Sequence, residues 1–359
     1  MSPSPRFRPA LLWALRCALL LAAAPAAGVV PSSAHKVRGM TVSCPTDGSE
    51  WGSDAMVDTM RALKVIGVEW VAIHPYAGIG KDGGVPQWRR LALDPPPAWI
   101  TRPIAEAHRL GMKVMIKPHL GYWGSGFGWR GDITFETPAQ WARFFAEYTT
   151  WITQVAAVSK GADAFVVGTE LDRTLDHEAE WRAVIGAVRA RYDGPLTYAA
   201  NWPEYERVPF WDALDIIGVQ AYFPLVTEGQ ATTPANLEHG LRAHLAALHA
   251  FSKKMNKYVV FTELGYNEFD QTALRPWDDA TGGPDAAGVQ SRALETALRL
   301  VAEDDRVVGA FLWKWFPGPW APRNFSMQAP AVQTLIARYW RPSPPRRIRT
   351  QPPPDQTPR

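Results

Sequence analysis

Two glutamates close two apolar runs of this chain. Ala-Phe-Val-Val-Gly-Thr-Glu occupies 164–170, and Tyr-Val-Val-Phe-Thr-Glu occupies 258–263. Continuous apolar runs rich in Val suit strands covered on both faces. A carboxylate at the last residue of such a strand stands at the mouth of whatever the strands enclose. Glu170 and Glu263 are therefore equipped for paired carboxylate chemistry. With the carboxyl groups ~5–5.5 Å apart, one protonates a departing oxygen while the other attacks an anomeric carbon, which cleaves a glycosidic bond with retention. Their surroundings must differ, since a carboxyl among apolar rings keeps its proton more readily than one accepting hydrogen bonds. Tyr222 and the conjugate acid of His119 are the expected donors to Glu263, and Trp202 is the expected apolar neighbour of Glu170. The competing reading is that each Glu merely pairs with a nearby Lys or Arg.

The elements that must position these groups alternate along the chain. Strand-like runs fall at 39–43, 70–74, 113–117, 164–168, 196–200, 216–221, 258–262 and 308–313. Amphipathic stretches at helical spacing fall at 54–66, 102–110, 138–158, 178–191, 237–255, 286–302 and 331–339. The connection at 204–214 is short, and a helix there has the least pattern behind it. Eight strand–helix repeats in one domain predict a closed parallel (β/α)8 barrel, an α/β fold. The rival, an open doubly wound sheet, usually carries a Gly-rich phosphate turn, and none occurs here. No cofactor motif is present and no cofactor is expected.

Chemistry in such barrels sits at the C-terminal ends of the strands. Those ends carry His74, Lys117, His119, Glu170, Asn201, Trp202, Gln220, Tyr222, Glu263, Trp313 and Trp315, with Trp123 close behind. The fourth and seventh strands face each other across the barrel, so Glu170 and Glu263 can share one cleft. Sugars present C–H faces that stack on aromatic rings, while edge polar groups take the hydroxyls. Trp123, Trp129, Trp202, Trp313, Trp315 and Trp320 are the candidates for that stacking. Trp70, Trp141, Trp151, Trp181 and Trp211 fall inside helices or strands and read as core. The Gly-rich loop 121–131 reads as a wall of the cleft. Two other functions stay open on these residues. One is a metal-dependent hydrolase using His74, His119, Asp172 and His177, although no tight ligand cluster is evident and no metal site is assigned. The other is a carbohydrate-binding barrel without turnover.

Three motifs carry a resemblance. Gly168-Thr169-Glu170-Leu171, Thr262-Glu263-Leu264-Gly265-Tyr266 and Phe311-Leu312-Trp313-Lys314-Trp315-Phe316 resemble glycoside hydrolase family 113. Lys117-Pro118-His119 and Gln220-Ala221-Tyr222-Phe223 fit the same pattern, and the match spans roughly 39–339. That family belongs to the large clan of retaining (β/α)8 glycosidases. The resemblance implies Glu170 as acid/base, Glu263 as nucleophile, Tyr222 bonded to the nucleophile and Trp313 lining the central subsite. It implies endo-β-1,4-mannanase-like cleavage of mannan, glucomannan or manno-oligosaccharides. An Asn commonly precedes the acid/base in the wider clan, whereas Thr169 stands there in this chain. The contact to the sugar 2-hydroxyl is then expected from Asn201 or His119.

The ends follow different rules. Arg6 and Arg8 precede a short apolar stretch and the small residues Ala-Pro-Ala-Ala at 24–27, the layout of a secretory signal peptide over 1–27, with a single membrane anchor as the competing reading. Residues 28–37 form a linker, 38–340 the barrel domain and 341–359 a Pro- and Arg-rich tail too polar to order itself. The expected product is secreted or periplasmic, without stable membrane insertion after cleavage. Cys44 is then the only cysteine of the exported chain, which excludes an intrachain disulfide. The leader and tail hold eight of the 38 basic residues and one of the 35 acidic ones, leaving 30 basic against 34 acidic. A domain near −4 has no basic face for nucleic acid. The expected partner is a poly- or oligosaccharide, and the expected state a monomer.

Overall fold

The computed structural model describes residues 36–318 and 324–341. The leader, most of the linker, most of the tail and Trp320 lie outside the described residues.

Eight parallel strands close into a barrel: β1 (Val37–Val42), β2 (Trp70–Ile73), β4 (Lys113–Ile116), β6 (Ala164–Thr169), β7 (Leu196–Asn201), β8 (Ile217–Gln220), β9 (Val259–Leu264) and β10 (Val307–Trp315). β1 pairs with β10, and the remaining neighbours follow chain order. Two short strands, β3 (Tyr76–Gly78) and β5 (His119–Gly121), form a separate parallel ladder. They extend the line of β2 and β4 past the barrel rim, an element not read from the sequence.

Alternation along the strands sorts the side chains. Ala72, Met115, Val166, Ala199, Val260 and Val308 meet in one small cluster inside the barrel. Their chain neighbours, such as Val71, Val114, Phe165 and Phe261, join a larger core shared with the helices. Both faces of each strand are thus dry, which is why the runs are continuously apolar. At Gly309 the backbone takes φ +136°, and a Cβ there would stand 2.1 Å from the Val37 carbonyl oxygen. Only glycine lets β10 close on β1 at that point.

The outer layer holds α1 (Asp54–Val65), α2 (Ala98–Arg109), α3 (Pro138–Val158), α4 (Glu178–Arg189), α5 (Pro234–Met255), α6 (Ala286–Glu303) and α7 (Pro330–Trp340). Thr137 and Gln140 cap α3 reciprocally, with Pro138 in the first turn where its missing N–H costs nothing. The expected helix at 204–214 is absent. Two 3₁₀ turns, Tyr205–Arg207 and Trp211–Ala213, replace it. Pro209 removes a helical donor in the middle of the segment, and Phe210 and Trp211 are spent on the core. No described helix is long and apolar enough to cross a membrane.

Candidate active site

Both carboxylate strands carry one extra residue before their Glu. Val166 and Thr169 of β6 oppose Thr197 and Ala199 of β7, so three residues of advance on β6 match two on β7. On β9, Phe261 and Glu263 oppose the consecutive Val219 and Gln220 of β8. Such bulges bend a strand and re-aim a side chain. Glu170 leaves β6 at φ +53°, a left-handed backbone that side-chain-bearing residues rarely hold. Its N–H donates to the Ala199 carbonyl at 2.9 Å, and the next N–H, of Leu171, donates to the Tyr198 hydroxyl at 2.8 Å. The neighbouring strand β7 thereby fixes the conformation that turns Glu170 into the mouth.

Glu170 and Glu263 line one open cavity of about 580 Å³. β6 and β9 stand three strand steps apart around the barrel, not opposite each other. The cavity wall between them is made by Asn201, Trp202 and Tyr222, from the ends of β7 and β8, and Trp313 closes it on the β10 side.

Each carboxylate has its own cation. The Lys117 ammonium, wholly buried, ion-pairs with Glu263 and also lies 3.3 Å from Gln220 Oε1 and from the Thr262 carbonyl. Burial lowers the Lys117 pKa from its ordinary value while the Glu263 charge opposes that shift. The Tyr222 hydroxyl donates to the other Glu263 oxygen at 2.6 Å. Burial, then the Glu263 charge, pushes that phenol well above its ordinary value, so it remains a donor. The Arg130 guanidinium donates to Glu170 at 2.6 Å and to the Leu120 carbonyl at 3.2 Å. Burial would lower its pKa, but Glu170, with help from Glu263, raises it overall.

Several expectations need correction. His119 is buried, with a pKa driven far below its ordinary value by desolvation and by Arg130 and Lys117. It is neutral and 3.9 Å from Glu263, so the second donor to that carboxylate is Lys117 instead. Lys117 and Gln220 lie wholly buried under Glu263 and do not line the cavity. His74 and His119 stack on each other at 4.9 Å and pack against Trp313 from behind. Trp315 is buried in the barrel–helix core. Trp123 is exposed but belongs to a neighbouring cavity. Trp129, Trp202 and Trp313 do line the cleft, and Trp151, Trp181 and Trp211 are core as expected.

The sequence reading missed Arg130 and Trp277. Arg130 lies in the Gly-rich loop already suspected as a wall, where a lone basic residue among aromatics was the available signal. Trp277 stacks near-parallel on Trp202 with centroids 6.0 Å apart. The four residues of the metal reading do not converge. His177 stacks on Trp141, Asp172 takes a 3.5 Å contact from Asn201, and the His/Asp group found among the described residues is His249, Asp304 and Asp305. Asp304 there receives the N–H groups of Arg306 and Val307 at the start of β10, at the other end of the barrel.

A cleft with two carboxylates, two donors on one of them, one on the other and indole rings around both is arranged for attack on a neutral acetal. Comparison with known proteins agrees on the class. A family model described as Glycoside Hydrolase Family 113 matches residues 40–324. A solved GH113 beta-1,4-mannanase superposes with TM-score 0.74 at 21% identity, covering 85% of this chain and 99% of that one. The GH113 beta-mannanase AaManA from Alicyclobacillus acidocaldarius, in complex with ManMIm, gives 0.73 at 26%, covering 85% and 97%. A beta-glucuronidase from Ruminococcus gnavus shares the fold at 0.57 and 13%, with 85% of this chain matching 50% of that one. No curated protein sequence matches significantly.

Proposed function

The chain belongs to glycoside hydrolase family 113, and from that premise we propose that it cleaves β-1,4-mannan or glucomannan chains, or their oligosaccharides, by double displacement. Similarity to two β-mannanases supports the substrate class. The observation that carries the mechanism is the unequal dressing of two carboxylates in one cavity. Glu263 accepts from Lys117 and Tyr222, so both of its oxygens are held in place by donors, as a nucleophile needs. Glu170, reached by Arg130 alone, is the acid/base.

In the first half of the reaction a Glu263 oxygen attacks the anomeric carbon. The C–O bond to the leaving sugar breaks, and its oxygen takes the proton of Glu170. In the second half Glu170 takes a proton from water, whose oxygen attacks the anomeric carbon and releases Glu263. Two inversions give net retention. Trp313 supplies the face on which the reacting sugar rests.

The test is product analysis on β-mannan. New reducing ends should appear with the β-anomer first, and Glu263→Ala should abolish them while the protein still unfolds cooperatively. Glu170→Ala should spare aryl glycosides with good leaving groups far more than polysaccharide, because those need little protonation. Equal losses on both substrates would remove Glu170 from the acid role. Binding of mannan with no release of ends would favour the non-catalytic reading. Action on an extracellular polymer also fits export by the 1–27 leader, and mass spectrometry of the exported protein would locate the mature N-terminus.

A further inference from the structure

Beside the cleft lies a second cavity of about 380 Å³, with Trp88 and Trp123 on its wall together with Tyr76, Ser43, Lys314 and Asn324. Trp88 is 41% and Trp123 58% exposed. Their ring centroids are 5.8 Å apart. Tyr76 stacks on Trp88 at 5.0 Å, and Tyr122 stacks on Trp123 at 5.2 Å. Four rings make one continuous shelf, and contiguous exposed apolar surface marks interaction sites.

The shelf is built in. Gly78 and Gly121 are partners on the last rung of the β3–β5 ladder. A Cβ on Gly121 would stand 2.4 Å from the Trp88 ring, and one on Gly78 would stand 3.0 Å from Trp88 Nε1. Glycine on both strands leaves room for the indole to rest directly on the ladder. That gives the two-strand sheet a purpose: it seats Trp88.

The shelf also adjoins the cleft. Trp313 and Phe325 line the cleft, and their chain neighbours Lys314 and Asn324 line the second cavity. Tyr76 sets its ring against His74 and His119, which in turn pack on Trp313. Around the barrel β1, which leads to Ser43, is four strand steps from β7, which delivers Trp202. The Trp202–Trp277 pair and the Trp88–Trp123 pair therefore flank Trp313 from opposite sides. On the function proposed above the reacting sugar rests on Trp313, and the chain neighbour of Trp313, Lys314, lines the shelf's cavity, whereas Trp202 and Trp277 line the cleft away from it. The retained sugar therefore continues from Trp313 toward the shelf.

We propose that the Trp88–Trp123 shelf binds a hexose unit on the non-reducing side of a β-linked chain, beyond the unit that reacts. The proposal rests on the function proposed for the cleft. The C–H face of the pyranose stacks on the indoles, and Ser43 and Asn324 offer polar groups to its hydroxyls.

The experiment compares 4-nitrophenyl β-mannoside, β-mannobioside and β-mannotrioside, which extend only toward the non-reducing side. For each enzyme the readout is the ratio of kcat/KM on the longer substrates to that on the shortest. Trp123→Ala and Trp88→Ala should each lower this ratio about three- to tenfold, the value of one aromatic stacking contact. An unchanged ratio in both variants overturns the proposal. Trp88→Tyr keeps a ring on the ladder and should restore most of the ratio, which separates lost stacking from a disturbed fold. Should wild-type enzyme cleave no mannoside but cleave the cellobioside series, the substrate reading fails, and the shelf stands or falls on the same ratio in that series.

Discussion

Replacing Lys117 by Met tests the electrostatic core of the site. The ammonium is fully buried, the Glu263 side chain is 5% exposed, and Tyr222 is the other donor that the carboxylate has. Removing one member of a buried pair costs about 3–5 kcal/mol when the remaining charge stays unpaired. A domain of this size loses ~2–4 °C in Tm per kcal/mol, so a drop of roughly 6–20 °C is expected. Turnover should fall with it, because Glu263 loses the group that holds one of its oxygens. The assay is thermal unfolding combined with kcat/KM on an aryl mannoside with a good leaving group, where demand on the acid is least. Lys117→Arg retains the charge and should recover much of the lost Tm. An unchanged Tm in Lys117→Met, with kcat/KM also unchanged, would refute the argument. Lys117 would then be a spectator.

The remaining predictions concern the groups around that pair. Tyr222→Phe deletes a hydrogen bond to a charged oxygen, worth about 1.5–3 kcal/mol, and should lower kcat/KM about 10- to 150-fold and Tm by about 3–12 °C; a loss of activity below threefold would show that the phenol does not assist turnover. Arg130→Gln removes a charge-assisted hydrogen bond to Glu170, worth about 1.5–3 kcal/mol, and should lower Tm by about 3–12 °C; an unchanged Tm would contradict the pairing. Asp172 is buried, and desolvation followed by the Glu170 charge pushes its pKa from 3.8 to about 7. Its protonated form is the one the fold accepts, so its contribution to stability is complete below the unfolded value and is lost as pH rises through about 7. Asp172→Asn should therefore raise Tm above wild type by a margin that grows between weakly acidic and weakly alkaline pH, measured by calorimetry.

The barrel was legible because burial on both strand faces forces continuous apolar runs, and eight of them alternate with amphipathic helices. What the runs conceal is their interior bookkeeping. An extra residue in Phe-Val-Val-Gly-Thr or Val-Phe-Thr is one more apolar letter in a string, so the bulges that aim Glu170 and Glu263 leave no mark in the sequence. Strand-end position likewise tells that Lys117 and Gln220 are near the mouth but not which way they point. Both turn beneath Glu263, which makes them supports of the carboxylate in place of contacts to sugar. Arg130 and Trp277 sit on loops without periodicity, and their partners, Glu170 and Trp202, are far away in the chain. Trp123 was rightly placed at the rim, but rim position could not distinguish the cleft from the shelf beside it.

The charge balance of the cleft bears on which sugar it takes. The barrel fold by itself does not decide the charge of the sugar. Among the described residues lining the cleft the one cation is Arg130, and it is already engaged by Glu170. Lys117 is spent on Glu263 beneath the floor, and His74 and His119 are held neutral by burial and by those same cations. A uronate carboxylate entering here would meet two carboxylates whose countercharges are committed. It would have to take Arg130 from Glu170, leaving that group's charge uncompensated in a poorly solvated site. Desolvating an anion without a partner costs several kcal/mol, more than one stacking contact returns. A neutral hexose brings no charge to desolvate, and the cavity it would enter is lined by Asn201, Trp202 and Trp313. The commitment of Lys117 to Glu263 and of Arg130 to Glu170 thus works against a charged sugar in this cleft.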